Sequence, residues 1–311
     1  MDKTYTSDPL HIHSPLIESA PLSNILGKPV YLKMEALQPG GSFKIRGIGL
    51  LCQQAFSQGA RQFVSSSGGN AGIATAYAGA KLGADVTVVV PKTTTDIMTT
   101  KLTQLGAKVI VKGDVWDEAH ETALSLCNRD NATYVHPFDH PLIWQGHAGL
   151  VDEVFAELGR PGAIALSVGG GGLLSGVLQG LHKVGWHDVP VLTAETKGAC
   201  SFASAFGQRQ PVTLPAVDTI ASTLAARQVC KQAFDWIGKH PLQPWVVDDR
   251  ATIEACLSFA DDHRVLVEPA CGAALSAVYQ RSDFFDTVDS VLVVVCGGNG
   301  VTIDQLNHWR C

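Results

Sequence analysis

The sequence carries SFKIRG at residues 42–47, followed by SSSGGNAG at residues 65–72. The first stretch holds Lys44 between an aromatic and an apolar neighbour. A lysine becomes a nucleophilic amine only when burial or a nearby positive charge lowers its pKa, and Arg46 is such a charge. The second stretch joins a short β-branched run to a helical pattern through a glycine-rich turn. Together they predict an α/β fold with a reactive lysine.

Short β-branched runs alternate with helix-compatible segments along the chain. The predicted strands cover residues 61–65, 85–90, 108–111, 163–168, 189–194 and 290–296. Segments such as 73–82, 116–129 and 173–184 have the composition and length of helices. This alternation predicts an α/β fold with parallel-rich sheets flanked by helices.

Proline and glycine mark two boundaries in this pattern. PGG at 39–41 opens the lysine segment, and prolines at 137 and 141 close the third small strand–helix unit. We therefore expect a small, substrate-side domain at 40–142, inserted into a large, cofactor-binding domain formed by 1–39 and 143–311. Small ligands bind between such lobes, at the carboxyl ends of parallel strands.

Composition excludes several classes of function. The chain has 311 residues, 46% of them hydrophobic, and a net charge of -6 from 29 acidic and 23 basic side chains. It has no basic run of the kind that binds nucleic acid, no apolar run of about 18 residues, and no signal-like start. Eight cysteines lie scattered without a C-x-x-C pair, which favours reduced thiols. We expect a cytoplasmic protein that acts on a small molecule, without nucleic-acid or membrane partners.

Four successive glycines, at 169–172, follow an apolar strand and precede a helix that starts near Leu173. Their unhindered N–H groups and the helix dipole suit a phosphate. The G-x-G-x-x-G spacing and the Lys-Ser/Thr ending of a P-loop are both missing, so binding of NAD or ATP is disfavoured. A tight strand–helix turn is the plainer interpretation.

Three further positions have both a chemical and a plainer interpretation. The hydroxyls and amide of residues 65–72 suit a carboxylate, although a serine N-cap gives the same pattern. Lys44 taken alone is more often a solvated lysine. Cys296 ends the apolar run 291–295, either as a core cysteine or as a weak, neutral partner for a ring nitrogen.

Together, Lys44, the 65–72 loop, the tetraglycine and Cys296 resemble the fold type II pyridoxal-phosphate (PLP) enzymes, specifically the short, animal-type L-serine/L-threonine dehydratases. The likeness extends over nearly the whole chain. Supporting runs lie at 31–35, 137–139, 141–144, 161–168 and 266–275. The resemblance implies a two-lobed α/β fold of the tryptophan synthase β kind.

The resemblance also implies roles for individual residues. Lys44 would form the Schiff base with PLP, Phe43 would pack on its ring, and Asn70 would bond its 3′ oxygen. The phosphate would be held by Gly169, Gly170, Gly171, Gly172 and Leu173, and Cys296 would face the ring nitrogen. Substrate binding is implied for Ser65, Ser66, Ser67, Gly68, Asn70 and Ala71. A monovalent cation such as K+ is implied at Glu195, Ala199, Ser201 and Leu224, where a solvated or salt-bridged Glu195 is the plainer interpretation.

The implied reaction is α,β-elimination, which converts L-serine to pyruvate and ammonia and L-threonine to 2-oxobutyrate and ammonia. Two alternatives stay open: β-replacement of the cysteine synthase type, and a PLP-binding protein with little activity. The resemblance further implies a homodimer and a role in amino-acid catabolism or gluconeogenesis, without a regulatory extension beyond Cys311. Gly68 stands where commoner serine dehydratases have alanine, so we expect a larger pocket floor and looser alignment of the substrate.

Overall fold

The computed structural model describes residues 8–310, which form two β-sheets covered by helices. The strands are β1 (Leu16–Glu18), β2 (Val30–Lys33), β3 (Gln62–Ser65), β4 (Asp85–Val90), β5 (Lys108–Val111), β6 (Thr133–Tyr134), β7 (Ala163–Ser167), β8 (Val191–Thr196), β9 (Leu242–Val247) and β10 (Val291–Val294). The α-helices are α1 (Ala20–Leu26), α2 (Lys44–Ser57), α3 (Asn70–Leu82), α4 (Asp96–Gln104), α5 (Trp116–Asp130), α6 (Pro141–Glu157), α7 (Gly172–Lys183), α8 (Ser201–Gln208), α9 (Lys231–Asp235), α10 (Asp249–His263), α11 (Pro269–Tyr279) and α12 (Ile303–Arg310).

Both sheets are built mainly from parallel strands. The six-stranded sheet has the order β1-β2-β10-β7-β8-β9, and only the β1–β2 pair within it is antiparallel. The four-stranded sheet has the order β5-β4-β3-β6 and is parallel throughout. The prediction of an α/β fold with parallel-rich sheets is therefore confirmed.

Each sheet has its own apolar core. The larger core packs strands β7 and β10 against helices such as α7, with Leu166, Val293 and Leu178 fully buried. The second core gathers side chains between Ile45 and Ile143, among them Phe63, and covers the four-stranded sheet. We propose that these cores define the lobes, with a small lobe over 40–142 inserted into the large one. Helix α6 packs on both α2 and α7, and so it joins the two cores.

The six predicted strands are all present, with ends within two residues of those predicted, but four further strands escaped prediction. One of them, β9, contains Pro244, which lacks a backbone N–H and argues against a central strand. The structure places β9 at the edge of its sheet, paired only with β8 among the described strands. On its outer side none of these strands needs a hydrogen bond from position 244. β1, β2 and β6 have two to four residues each, too short for a clear alternating pattern.

The seven cysteines in the described range are free thiols, in line with the sequence pattern. Five of them are buried, one in the second core and four in the larger core. No helix between residues 8 and 310 combines the length and the apolar character needed to cross a membrane.

Candidate active site

Lys44 is the first residue of helix α2. Its ammonium donates a hydrogen bond of 2.7 Å to the carbonyl oxygen of Pro137. Burial lowers the pKa of Lys44 to about 8, although Cys296 and Glu268 act in the opposite direction. A sizeable fraction of this amine is therefore neutral near physiological pH, as a nucleophile or proton acceptor requires.

Arg46 does not lower this pKa, contrary to the expectation from sequence. Its guanidinium donates to the carboxylates of Glu35 and Glu153 at distances of 2.7 to 2.8 Å. Burial alone would lower the pKa of Arg46, but these two carboxylates hold it above its ordinary value. Because the charge of Arg46 is neutralised by its partners, desolvation is what activates Lys44.

Phe43 and Cys296 lie next to Lys44. The N–H of Phe43 donates to the carbonyl oxygen of Cys296 at 3.3 Å, and the Phe43 ring centroid lies 5.1 Å from the lysine Nζ. The Cys296 thiol is buried, and a hydrogen bond with Cys271, together with burial, raises its pKa well above the usual value. The thiol therefore stays neutral, so this position offers a ring nitrogen a dipole and no charge.

The loop at 65–72 leaves strand β3 and enters helix α3, which starts at Asn70. The hydroxyl groups of Ser65 and Ser66 are buried, while Ser67 is partly exposed and its Oγ accepts the N–H of Gly69 at 3.3 Å. Ser66 Oγ lies 2.7 Å from the hydroxyl of a tyrosine in strand β6. Ala71 is buried in the first turn of α3. The loop thus places hydroxyl and N–H donors at the start of a helix, which suits an anion.

Gly68 does not enlarge the pocket floor, so that expectation is wrong. A Cβ atom added at Gly68 would lie 2.7 and 2.8 Å from Cγ2 and Oγ1 of Thr94, and 3.2 Å from Cγ1 of Val90. Thr94 therefore already occupies the space that an alanine methyl group would need. Because Gly68 and Thr94 are 26 residues apart in the sequence, no local pattern predicts that the Thr94 side chain fills the space beside Gly68.

Asn70 belongs to a buried network that the sequence analysis did not assign to the site. Its amide Nδ2 donates to Glu268 at 2.8 Å, and its Oδ1 accepts the N–H of Asn299 at 3.0 Å. Glu268 also accepts from Thr223 Oγ1 at 2.5 Å and from the N–H of Gly300 at 3.3 Å. Burial raises the pKa of Glu268. The network fixes the Asn70 amide and leaves its second N–H for a ligand oxygen.

The tetraglycine connects strand β7 to helix α7 and forms a cup. Gly171 has φ of +87°, and a Cβ atom at Gly170 would overlap the ring of Phe138, so side chains are excluded at both positions. The carbonyl of Gly170 accepts the N–H of Cys230 at 2.9 Å, which fixes the turn. Within the described residues, the N–H groups from Gly170 to Leu173 donate to no backbone acceptor. Free N–H donors at a helix N-terminus fit a phosphate group.

The four residues of the predicted cation site lie around strand β8 and the cup. The Glu195 carboxylate is buried, and it accepts the N–H groups of Phe202 at 2.8 Å and Ala203 at 2.7 Å. Burial raises its pKa to about 8. The buried Ser201 Oγ has no hydrogen-bond partner among the described residues, and Leu224 packs against Gly169. Ala199 ends the short turn that leads into helix α8.

These features define the class of the protein. The structure combines a lysine amine whose pKa is lowered by burial, a glycine cup with free N–H donors, a neutral thiol and an asparagine amide that is fixed by Glu268. The donor set fits a cofactor that carries an aldehyde, an aromatic ring and a phosphate, which is the chemistry of PLP.

Comparisons with known proteins agree with this class. The family "Pyridoxal-phosphate dependent enzyme" matches residues 8–297. An L-serine dehydratase of Dictyostelium discoideum is 44% identical, covering 98% of this chain and 93% of its own. The L-serine dehydratase/L-threonine deaminase of Homo sapiens is 46% identical, with 97% and 95% covered. The crystal structure of a fungal L-serine ammonia-lyase from Rhizomucor miehei superimposes with a TM-score of 0.93 at 37% identity, covering 97% of this chain and 99% of the other. The chain belongs to the family of pyridoxal-phosphate dependent enzymes.

Proposed function

We propose that this chain catalyses the PLP-dependent dehydration and deamination of L-serine to pyruvate and ammonia, and of L-threonine to 2-oxobutyrate and ammonia. The observation that carries the proposal is the Lys44 amine, whose lowered pKa suits proton transfer, at the lobe junction with the glycine cup and the 65–72 loop. The names of the relatives that match nearly the whole chain support the same substrates.

In this proposal the residues present hold the cofactor. The N–H groups from Gly169 to Leu173 would bind its phosphate, Phe43 would pack against its ring, and the second amide N–H of Asn70 would bind the ring oxygen. Cys296 would offer the ring nitrogen a neutral thiol. Bound PLP supplies an electron sink for the electron pair that remains on Cα after proton removal.

Two groups of the chain act on the substrate itself. The 65–72 loop binds the carboxylate through its hydroxyl and N–H donors, which fixes the Cα–H bond with respect to Lys44. The Lys44 amine takes that proton and holds it on Nζ while hydroxide leaves from Cβ. The water lost in elimination is regained when the released product hydrolyses to the keto acid and ammonia.

We also propose a monovalent cation, K+, beside the Glu195 carboxylate, with oxygen atoms of Ala199, Ser201 and Leu224. Among residues 8–310, no cationic side chain pairs with the buried Glu195 carboxylate and the Ser201 hydroxyl has no hydrogen-bond partner, and both observations support the site. We expect the enzymatic activity to fall when Li+ replaces K+ at constant ionic strength. Equal activity in the two salts would contradict the site.

A homodimer in the cytoplasm completes the proposal. The dimer rests on the family resemblance, and the free thiols of the described residues support a reducing compartment. Light scattering coupled to size exclusion measures the mass in solution. A mass near 33.0 kDa, that of one chain, would rule out the dimer under those conditions.

The test is keto-acid formation by purified protein whose absorbance spectrum shows bound PLP. Pyruvate from L-serine and 2-oxobutyrate from L-threonine are expected. If no keto acid forms and O-acetylserine with sulfide gives cysteine and acetate, the proposal would be replaced by β-replacement. Bound PLP without either product would indicate a non-catalytic PLP-binding protein.

A further inference from the structure

A chain of three hydrogen-bonded side chains leads away from the 65–72 loop. Ser66 Oγ lies 2.7 Å from the hydroxyl oxygen of Tyr134, and the same oxygen lies 2.7 Å from Nδ1 of His120. Ser66 ends the chain at the candidate carboxylate site and is fully buried. His120 ends it near the surface, on helix α5. The three groups belong to three elements, so only the folded chain brings them together.

The geometry of this chain is held by packing. The imidazole of His120 stacks on Trp116 with centroids 4.7 Å apart and an interplanar angle of 10°. Tyr134 is fixed by the pairing of β6 with β3, in which it lies opposite Val64. Burial raises the pKa of Tyr134 to about 12, so its phenol keeps one proton at neutral pH.

The Tyr134 hydroxyl has one proton, which it can donate either to His120 Nδ1 or to Ser66 Oγ. If Tyr134 donates to His120 Nδ1, Ser66 must donate its own proton to Tyr134 and can only accept from a ligand. If His120 Nδ1–H donates to Tyr134, Tyr134 donates to Ser66, whose O–H is then free for a ligand. A substrate carboxylate has acceptors only, so it selects the second direction.

We propose that His120 and Tyr134 are positioning residues, which turn the Ser66 O–H toward the substrate carboxylate by donating along the chain His120 Nδ1–H to Tyr134 to Ser66. The inference rests on the proposed function, because it takes the 65–72 loop as the carboxylate site. It assigns to His120 the Nδ1–H form whenever a carboxylate is bound. Neither residue touches the substrate, so neither is catalytic.

Steady-state kinetics of matched variants test the inference. Tyr134→Phe and His120→Phe break the chain while keeping the aromatic packing, and each is expected to raise KM for L-serine about three- to tenfold with kcat within about twofold. His120→Asn, whose amide can donate from the position of Nδ1, is expected to restore KM to within about twofold. Tyr279→Phe is the control, because its hydroxyl donates to Asp262 on another helix.

A binding measurement separates this inference from the proposed function. Glycine carries a carboxylate and cannot undergo elimination, whereas methylamine lacks the carboxylate, and both change the absorbance of bound PLP. Tyr134→Phe is expected to weaken glycine and leave methylamine unchanged, whether or not the wild type forms pyruvate. Equal weakening of both ligands, or an unchanged glycine affinity with PLP bound, would overturn the inference. If glycine responds as expected and L-serine gives no keto acid, the proposed function alone fails.

Discussion

Replacement of Arg46 by methionine is expected to destabilise the fold strongly, because Arg46 neutralises the buried carboxylate of Glu35 and the half-buried carboxylate of Glu153. Its guanidinium donates to both oxygens of Glu35 and to both oxygens of Glu153, four hydrogen bonds of 2.7 to 2.8 Å. Glu35 is fully buried. Without Arg46, its nearest remaining donor among the described residues is Ser14 Oγ, at 2.6 Å. The variant would therefore leave a buried charge with one neutral donor.

The size of the loss follows from this geometry. Removal of one partner from a buried ion pair costs about 3–5 kcal/mol. Methionine fills much of the aliphatic volume of arginine, and Glu35 can take up a proton, so we expect about 3 kcal/mol, the lower end of that range. At an unfolding entropy of roughly 2.1 cal/mol/K per residue, this loss should lower the melting temperature of the 311-residue chain by roughly 5 °C.

Thermal unfolding followed by circular dichroism, with PLP present in excess, measures the effect. Arg129→Met is the matched control, because Arg129 pairs with Asp130 on the exposed surface and such pairs contribute little. The double variant Arg46→Met with Glu35→Gln should recover part of the loss, since no charge is then buried alone at position 35. An Arg46→Met protein that melts within about 2 °C of the wild type, against the loss calculated above, would refute this reasoning.

Three further outcomes are expected. Lys44→Ala should abolish keto-acid formation while Lys231→Ala, on the surface, should not, and turnover by the first variant would contradict the role of the amine. Gly68→Ala should lower kcat/KM, whereas Gly68→Ala with Thr94→Ala should recover activity, because the added methyl group then has room; equal activity of both variants would disprove this packing argument. Burial lowers the pKa of His147 well below 6.5. At a pH below about 6.5, His147 therefore binds a proton in the unfolded chain and not in the folded one. The free energy of unfolding should then fall with falling pH, by up to about 1.4 kcal/mol per pH unit. Urea titrations at several pH values check this, with His147→Gln expected to reduce the slope.

The local sequence pattern was sufficient to predict those strands and turns that follow a simple composition rule. Strands β4 and β5 were predicted with their observed ends because both are short runs rich in β-branched residues, although only β4 is largely buried. The tetraglycine was predicted as a phosphate cup because a glycine turn between a strand and a helix has few other uses. The edge strand with Pro244 was missed because its position in the sheet is not a property of its own sequence.

The sequence alone could not predict those contacts of the site that join residues far apart in the chain. Glu268 lies 198 residues from Asn70, and no spacing rule predicts that carboxylate as the group that fixes the amide. Likewise, the compensation of Gly68 by Thr94 and the link from Ser66 to His120 arise only when helices and strands pack. The sequence therefore predicted the groups that we propose bind ligands, and the structure added the side chains that hold those groups in place.

The distribution of thiols gives the two cores separate chemical reporters. Cys52 lies in the second core and Cys256 in the larger one, both with no exposed surface, while Cys127 and Cys200 are partly exposed. Burial raises the pKa of Cys52 and of Cys256, so neither reacts until its surroundings open. Pulsed alkylation read by mass spectrometry can thus time the opening of each lobe in the unmodified chain, without an introduced label.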